Sequence, residues 1–379
     1  MSWAIWITGL PGSGKSVLAR RAAAELSARG EPVRVLELDE IRQTLTPSPT
    51  YSDAERDVVY RALACMASLL TEAGVPVIID ATAHRRAWRD AARAAIPRFG
   101  EVQLVCPSEI CRERERTRPP GHAPRGIYAR AGRPGATVPG VDVPYEPALA
   151  PELVIHTARQ GVTEAAARIV ALARELAPAR PREIAPPPPG WAIWITGRPG
   201  SGKSTLAERV SEAAAARGIR VRVLDLATVR RFLLDEGPVS GGQEEIAHRA
   251  LALAAKLLTE AGIAVLVDAT APRRAWREAA RALIPRFAEV QLVCPAEICV
   301  ERERASRWRL GMHRRQRAVP PAHATIPEIA VDYEESLRPE LVLHTHAHDV
   351  LVTVEQVLFL IHRLRRMAPA ARTALANLE

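Results

Sequence analysis

The octapeptide Gly9-Leu10-Pro11-Gly12-Ser13-Gly14-Lys15-Ser16 constrains this chain more than any other stretch. It follows the apolar run Trp3-Ala4-Ile5-Trp6-Ile7 and precedes an alanine- and leucine-rich stretch from Val17 to Ala28. A strand, a glycine-rich turn and a helix, in that order, are the context that the G-x-x-x-x-G-K-[ST] pattern requires. The glycines let successive backbone N–H groups face inward around phosphate oxygens, and the helix N-terminus beneath them adds partial positive charge. Gly9, Pro11, Gly12, Ser13, Gly14, Lys15 and Ser16 are therefore the expected ATP-binding loop. Lys15 is expected to reach the β- and γ-phosphates, and the Ser16 hydroxyl to hold Mg²⁺.

The same stretch returns as Gly197-Arg198-Pro199-Gly200-Ser201-Gly202-Lys203-Ser204-Thr205. Gly197, Gly200, Ser201, Gly202, Lys203, Ser204 and Thr205 are thus a second expected ATP-binding loop. Of 52 Lys+Arg residues only Lys15, Lys203 and Lys256 are lysine, so arginine has replaced lysine almost everywhere except in the two loops. A compact ammonium fits between phosphates where a planar guanidinium does not.

Lys15 and Lys203 lie 188 positions apart (203 − 15), and so do Asp80 and Asp268, Trp88 and Trp276, Cys106 and Cys294, and Pro151 and Pro339. A constant offset over this length is a tandem duplication with almost no net insertion. Between the copies, Ala177-Pro178-Ala179-Arg180-Pro181 and Pro186 to Pro189 read as a semi-rigid linker. The expected organisation is a P-loop domain over 1–177, a Pro-rich linker over 178–190 and a second P-loop domain over 191–379.

Within the first copy, apolar β-branched runs alternate with amphipathic stretches. Strands are expected at Trp3–Thr8, Val33–Leu38, Val75–Asp80, Glu101–Cys106 and Leu153–Thr157, and helices at Val17–Arg29, Ala54–Ala73, Ala87–Ala95, Ser108–Arg116 and Thr163–Leu176. The fold class is α/β: two P-loop NTPase domains of kinase type, each a parallel sheet covered by helices on both faces. Ligands are expected at the carboxyl ends of the strands.

The net charge of +9 raises the question of nucleic acid, but arginines alternate with glutamates along helical stretches rather than forming basic blocks. Nucleic acid is not an expected partner; a small nucleotide substrate is. No apolar run approaches the roughly 18 residues of a membrane span, and no charged segment precedes an apolar leader, so neither membrane insertion nor a signal peptide is expected. The five cysteines show no zinc spacing, and their odd number argues against a full disulfide framework. A reducing cytoplasm fits.

Asp39 lies just past the second strand, in Leu36-Glu37-Leu38-Asp39-Glu40-Ile41-Arg42. A carboxylate there can face the γ-phosphate, accepting a hydroxyl proton or holding Mg²⁺, although capping a helix from Ile41 onward is an alternative use. Arg42 and Arg56 are candidates for an anionic acceptor. Asp80 closes the apolar strand Val77-Ile78-Ile79-Asp80, where a second Mg²⁺-associated carboxylate is expected. The arginine-dense segment Arg112–Arg118 leads into Pro119-Pro120-Gly121 and reads as a lid over phosphates.

Taken together these residues resemble adenylyl-sulfate (APS) kinase. Trp6-Ile7-Thr8-Gly9-Leu10 matches that family's opening, and Leu36–Arg42 its L-D-G-D-N-V-R stretch, with Asp39 on the second aspartate. Tyr51-Ser52 and Glu55-Arg56 match F-S…D-R, and Arg125-Gly126-Ile127-Tyr128 matches K-G-L-Y. Val138-Pro139-Gly140-Val141-Asp142, then Pro144-Tyr145-Glu146, match F-T-G-I-D…P-Y-E, and Pro151-Glu152-Leu153 matches P-E-L. The resemblance implies transfer of the ATP γ-phosphate to the 3′-hydroxyl of adenylyl sulfate, giving 3′-phosphoadenylyl sulfate (PAPS). It implies Lys15 and Asp39 as catalytic residues, and Ser16, Asp39 and Asp80 around Mg²⁺. Arg42 and Arg56 would bind the acceptor's phosphosulfate, Tyr51 would stack on its adenine, and Arg125 and Ile127 would complete the acceptor site.

The chain departs from the family pattern at Glu37, Leu38, Val59, Val138 and Ala83-His84-Arg85-Arg86, and about Arg116–Pro124 is inserted. The second copy departs further: Ala227 stands at the position of Asp39, Glu244 at that of Arg56 and Glu328 at that of Gly140, and Arg309–Ala318 replaces the Gly-Ile-Tyr segment. The expected second domain is a nucleotide-binding half with a degenerate acceptor site, pairing with the first as an intrachain pseudo-dimer. Two other readings stay open: a kinase of another small hydroxyl acceptor (nucleoside, sugar or metabolite), and an ATP-binding regulatory protein without phosphoryl transfer.

Overall fold

The computed structural model describes residues 1–119, 124–178, 190–234, 240–313 and 332–366. By compactness the chain divides into one unit of Met1–Ile184 with Val229–Ala250 and another of Ala185–Thr228 with Leu251–Glu379. Most of the expected linker, 179–189 with Pro186–Pro189, lies outside the described residues.

The first unit is built on strands β1 (Ala4–Thr8), β2 (Arg34–Glu37), β3 (Val77–Asp80), β4 (Phe99–Val105) and β5 (Leu153–His156). They form one sheet in the order β2-β3-β1-β4-β5, and every pairing is parallel. β1 sits at the centre, buried on both faces, which is why its run reads as continuously apolar rather than alternating. The helices are α1 (Lys15–Ala28), α2 (Leu38–Leu45), α3 (Asp53–Glu72), α4 (Arg86–Ala95), α5 (Ser108–Thr117) and α6 (Val162–Leu176).

On one sheet face Ile5, Ile7, Ile78 and Val102 pack against Leu18, Ala22 and Leu26 of α1 and Ala165, Ile169 and Ala173 of α6. Helices α3 and α4, packed on each other and on β3 and β4, cover the other face. The expected elements all form, with ends displaced by one or two residues. A further helix, α2, begins at Leu38, ahead of the start at Ile41 that a cap by Asp39 would set, so Asp39 lies within the helix and does not cap it. Leu38, Ile41 and Leu45 fall at helical spacing and are all buried, so the segment is held by packing rather than by a cap.

Two local devices place the site. Gly14 has φ 100°, a left-handed turn that lets α1 start directly at Lys15. Ser52 caps α3 by accepting from the Glu55 N–H, and the Glu55 carboxylate accepts in return from the backbone of Thr50 (2.7 Å) and Tyr51 (3.3 Å), close to a capping box. This fixes the loop bearing Tyr51, whose own φ is 55°.

The second sheet is formed by β6 (Ala192–Gly197), β7 (Val221–Asp225), β8 (Ala264–Asp268), β9 (Phe287–Val293) and β10 (Leu341–His344), in the order β10-β9-β6-β8-β7 and again parallel. The helices of the second copy are α7 (Lys203–Ala216), α8 (Leu226–Leu233), α9 (Gly241–Glu260), α10 (Arg274–Leu283), α11 (Ala296–His313) and α12 (Val350–Arg366). Among the described residues no helix is long and apolar enough to cross a membrane.

Candidate active site

The carboxyl ends of β1, β2 and β3 open into a cleft of about 600 Å³ in the first unit. Its walls include Pro11, Gly12, Gly14, Lys15 and Ser16 of the P-loop, Asp39, Arg42, Tyr51 and Arg56, Asp80, and Ile127. Residues 83 positions apart in sequence (139 − 56), such as Arg56 and Pro139, reach it only through the crossovers of the sheet.

The P-loop is tightly buttressed. A Cβ on Gly12, at φ +78°, would lie 2.2 Å from the Cys111 carbonyl oxygen, so only glycine fits there. Tyr128 Oη donates to the Pro11 carbonyl at 2.8 Å, and Thr157 Oγ1 donates to the Ser13 carbonyl at 2.9 Å. Arg114 then holds Thr157, donating to its carbonyl at 2.8 Å and its hydroxyl at 3.2 Å. The Ser13 hydroxyl is buried without a hydrogen-bond partner. A Cβ on Gly9 would lie 2.9 Å from it.

Lys15 Nζ donates to the carbonyls of Gly9 (3.1 Å) and Leu10 (3.0 Å). Burial pulls its ammonium below the ordinary range, opposed by the charges of Asp80 and Asp39. Burial pushes both carboxylates up, Lys15 opposes this in each, and the charge of Asp39 adds to the rise at Asp80. The Ser16 hydroxyl hydrogen-bonds Asp80. The arrangement is one ammonium facing two partly desolvated carboxylates and a hydroxyl. All of these lone-pair donors are hard oxygens, the set a small divalent cation prefers, and the local negative charge is incompletely matched. Among the described residues no group of three His, Cys, Asp or Glu gathers that could by itself cage a metal.

Across the cleft, Arg42 is buried, pairs with Glu55 at 3.2 Å and lies 5.2 Å from the centre of the Tyr51 ring. Arg56 is 8% exposed. Its Nη2 donates to the Thr137 hydroxyl (2.5 Å) and carbonyl (3.2 Å), while its Nη1 is buried with no partner. A buried guanidinium nitrogen without an acceptor is costly unless a ligand supplies one. Arg125 is exposed and outside the cleft wall, although its neighbours Pro124 and Ile127 line it. Tyr51 presents its ring to Arg42, and Val138 is buried at the wall. Of the expected lid, Arg112 lies over the Tyr128 ring, Arg114 and Arg118 line the cleft, and residues 120–123 lie outside the described residues.

Several cleft residues were not singled out from sequence. Tyr60 and His84 line the cleft; Tyr60 stacks on Trp88 at 4.1 Å, and Trp88 Nε1 donates to Asp57 at 2.7 Å. Burial, reinforced by Arg56 and Arg85, lowers the His84 pKa to about 4. Arg89, fully buried, pairs with Glu101 at 2.6 Å and donates to the carbonyls of Ala83 and of Glu146 (2.7 Å), tying together the two loops that flank His84 and Tyr145. The signal for this pair was present: Arg277 and Glu289 repeat it in the second copy at 2.8 Å.

In the second copy the P-loop keeps its form. Lys203 donates to the Arg198 carbonyl at 3.1 Å and Ser204 to Asp268 at 2.6 Å. Arg230, at the position of Arg42, forms an ion pair with Glu244, at the position of Arg56. Glu328 and Arg314–Ala318 lie outside the described residues.

A parallel sheet with a glycine-rich loop at its central strand, a buried lysine, paired carboxylates and facing arginines defines a P-loop phosphotransferase. The family pattern of adenylylsulphate kinase matches residues 1–156 and again 189–344. The chain belongs to the adenylylsulphate kinase family, as a duplicated member, and is an ATP-dependent kinase. The adenylyl-sulfate kinase of Synechococcus sp. (strain JA-3-3Ab) is 38% identical over 162 residues, which are 42% of this chain and 87% of that protein. The probable adenylyl-sulfate kinase of Archaeoglobus fulgidus is 36% identical over 160 residues, 41% of this chain and 97% of that one. Among solved structures, the Mycobacterium tuberculosis APS kinase CysC in complex with AMPPNP and APS is 30% identical with a TM-score of 0.38, covering 46% of this chain and 99% of that chain.

Proposed function

We propose that the first half transfers the γ-phosphate of ATP to the 3′-hydroxyl of adenylyl sulfate, giving PAPS and ADP. The observation that carries this is the buried, partnerless Nη1 of Arg56 beside Arg42, across one cleft from Lys15 and Asp39. A phosphosulfate supplies the acceptor oxygen that Arg56 Nη1 lacks, and it places the acceptor hydroxyl on the P-loop side in this reading.

In this reading the P-loop backbone and Lys15 hold the β- and γ-phosphates. Asp39 takes the proton of the acceptor hydroxyl as its oxygen bonds to the γ-phosphorus and the bond to the β-γ bridging oxygen breaks, leaving ADP. Lys15 opposes the negative charge developing on that leaving oxygen. Burial raises the Asp39 carboxyl, making it a better base than an exposed aspartate. Ser16, Asp39 and Asp80 are the residues that would hold Mg²⁺. The cation, when bound, neutralises phosphate oxygens.

The tandem match also supports two halves divided near 178–190; their pairing within one chain as a pseudo-dimer is part of the same proposal. The five unpaired thiols fit a reducing cytoplasm. The test of the acceptor is ATP consumption by the full chain against a panel of adenylyl sulfate, nucleosides and sugars, with the phosphorylated product identified by mass. Adenylyl sulfate is expected to be the turned-over acceptor; turnover of a sugar or nucleoside in its place would replace this reading.

A further inference from the structure

The second copy retains the whole apparatus for a nucleotide and has lost that for transfer. Its loop glycines Gly197, Gly200 and Gly202 have φ 148°, 78° and 96°, against 149°, 78° and 100° at Gly9, Gly12 and Gly14. A Cβ on Gly200 would again lie 2.2 Å from a carbonyl oxygen, that of Cys299. Thr345 Oγ1 donates to the Ser201 carbonyl at 2.8 Å and Arg302 holds Thr345, repeating the latch of the first copy. The Ser201 hydroxyl is buried without a partner, as is that of Ser13. Lys203 is buried, and Ser204 bonds Asp268. A loop under no demand to close around phosphates has no reason to keep a buried ammonium, a partnerless buried hydroxyl and three left-handed glycines.

What is missing is equally specific. Ala227 stands where Asp39 does, and its methyl can neither accept a proton nor hold a cation. The carboxylate nearest in sequence, Asp225, is spent as a helix cap, accepting from the Thr228 N–H at 2.7 Å. At the positions of the two acceptor arginines, Arg230 is neutralised by Glu244, which also lies 3.3 Å from His248 Nδ1. The first copy offers an unsatisfied cation there; the second offers a closed ion pair.

We infer that the second half is a nucleotide-holding site that does not turn its nucleotide over. The inference rests on the first half being the transferring one. The test counts nucleotide on the full chain with radiolabelled ATP and Mg²⁺. Two nucleotides per wild-type chain are expected, one in Lys15→Ala, one in Lys203→Ala and none in the double variant. The nucleotide held by Lys15→Ala is expected to be recovered as intact ATP after incubation with adenylyl sulfate. A single nucleotide per wild-type chain overturns the inference, as does recovery of ADP from Lys15→Ala. Far-ultraviolet dichroism identical to wild type excludes misfolding as the cause of a lower count. The count does not depend on the acceptor: two nucleotides held without any product from adenylyl sulfate would overturn the acceptor assignment and leave this inference standing.

Discussion

At the scale of single residues, Arg56 carries the sharpest consequence. Its side chain is buried and half satisfied, so in the proposed function its removal takes away a charged contact to the acceptor rather than a surface charge. Arg56→Ala is expected to lower kcat/KM for adenylyl sulfate by an amount equivalent to roughly 2–4 kcal/mol, mainly through KM, with little change in ATP affinity. Steady-state kinetics with each substrate varied in turn decide this; an unchanged acceptor KM would make Arg56 structural. His84 has a different signature. Its folded pKa of about 4 lies below the ordinary 6.5, so between those values the unfolded chain binds the extra proton. Stability therefore falls as pH drops from about 6.5 towards 4, by up to about 3 kcal/mol from this residue. His84→Gln is expected to flatten that part of the curve, as read by urea unfolding at pH 7 and pH 4.5; an equal slope in both proteins would remove His84 as the cause.

The element scale shows why part of the site was legible and part was not. Lys15 and Ser16 open α1 directly after the loop that follows β1, Asp39 lies in the first turn of α2 just past β2, and Asp80 ends β3, and such positions follow from an apolar run and what terminates it. Arg42 and Arg56 came from motif spacing. Tyr60, His84 and Thr157 reach the site through tertiary packing: Tyr60 from the middle of α3, Thr157 from just beyond β5. On a helix the sequence shows only a polar tip on an apolar face, which a core tyrosine would show equally. The helix α2 escaped because eight residues following directly on a strand give too little periodicity to separate it from a loop. Arg89 was hidden for the opposite reason, since arginine on a charged helix reads as solvated. Its burial beneath the loops of His84 and Tyr145 makes it the anchor of that wall of the cleft. Arg89→Ala leaves Glu101 buried with only the longer Arg93 contact and is expected to cost about 3–5 kcal/mol. Chemical denaturation measures this, and a loss below 1 kcal/mol would mean that water or Arg93 (3.7 Å from Glu101) compensates.

At the scale of the whole molecule, duplication made the sequence unusually informative, because each half is a mutant series of the other. What both copies keep, namely the P-loop, the Thr157/Thr345 latch and the Arg89–Glu101 pair with its twin Arg277–Glu289, belongs to the fold and to nucleotide binding. What only the first keeps, Asp39 and Arg56, is what the proposed transfer requires. The central claim is that the first half phosphorylates adenylyl sulfate with Asp39 as base. Its most direct measurement is PAPS formation from ATP and adenylyl sulfate by full-length wild type and Asp39→Ala, followed by separation of the nucleotides. Wild type is expected to yield PAPS and ADP in equal amounts, and Asp39→Ala to be slower by roughly 10²-fold or more with ATP still bound. No PAPS from wild type, or undiminished PAPS from Asp39→Ala, would contradict it.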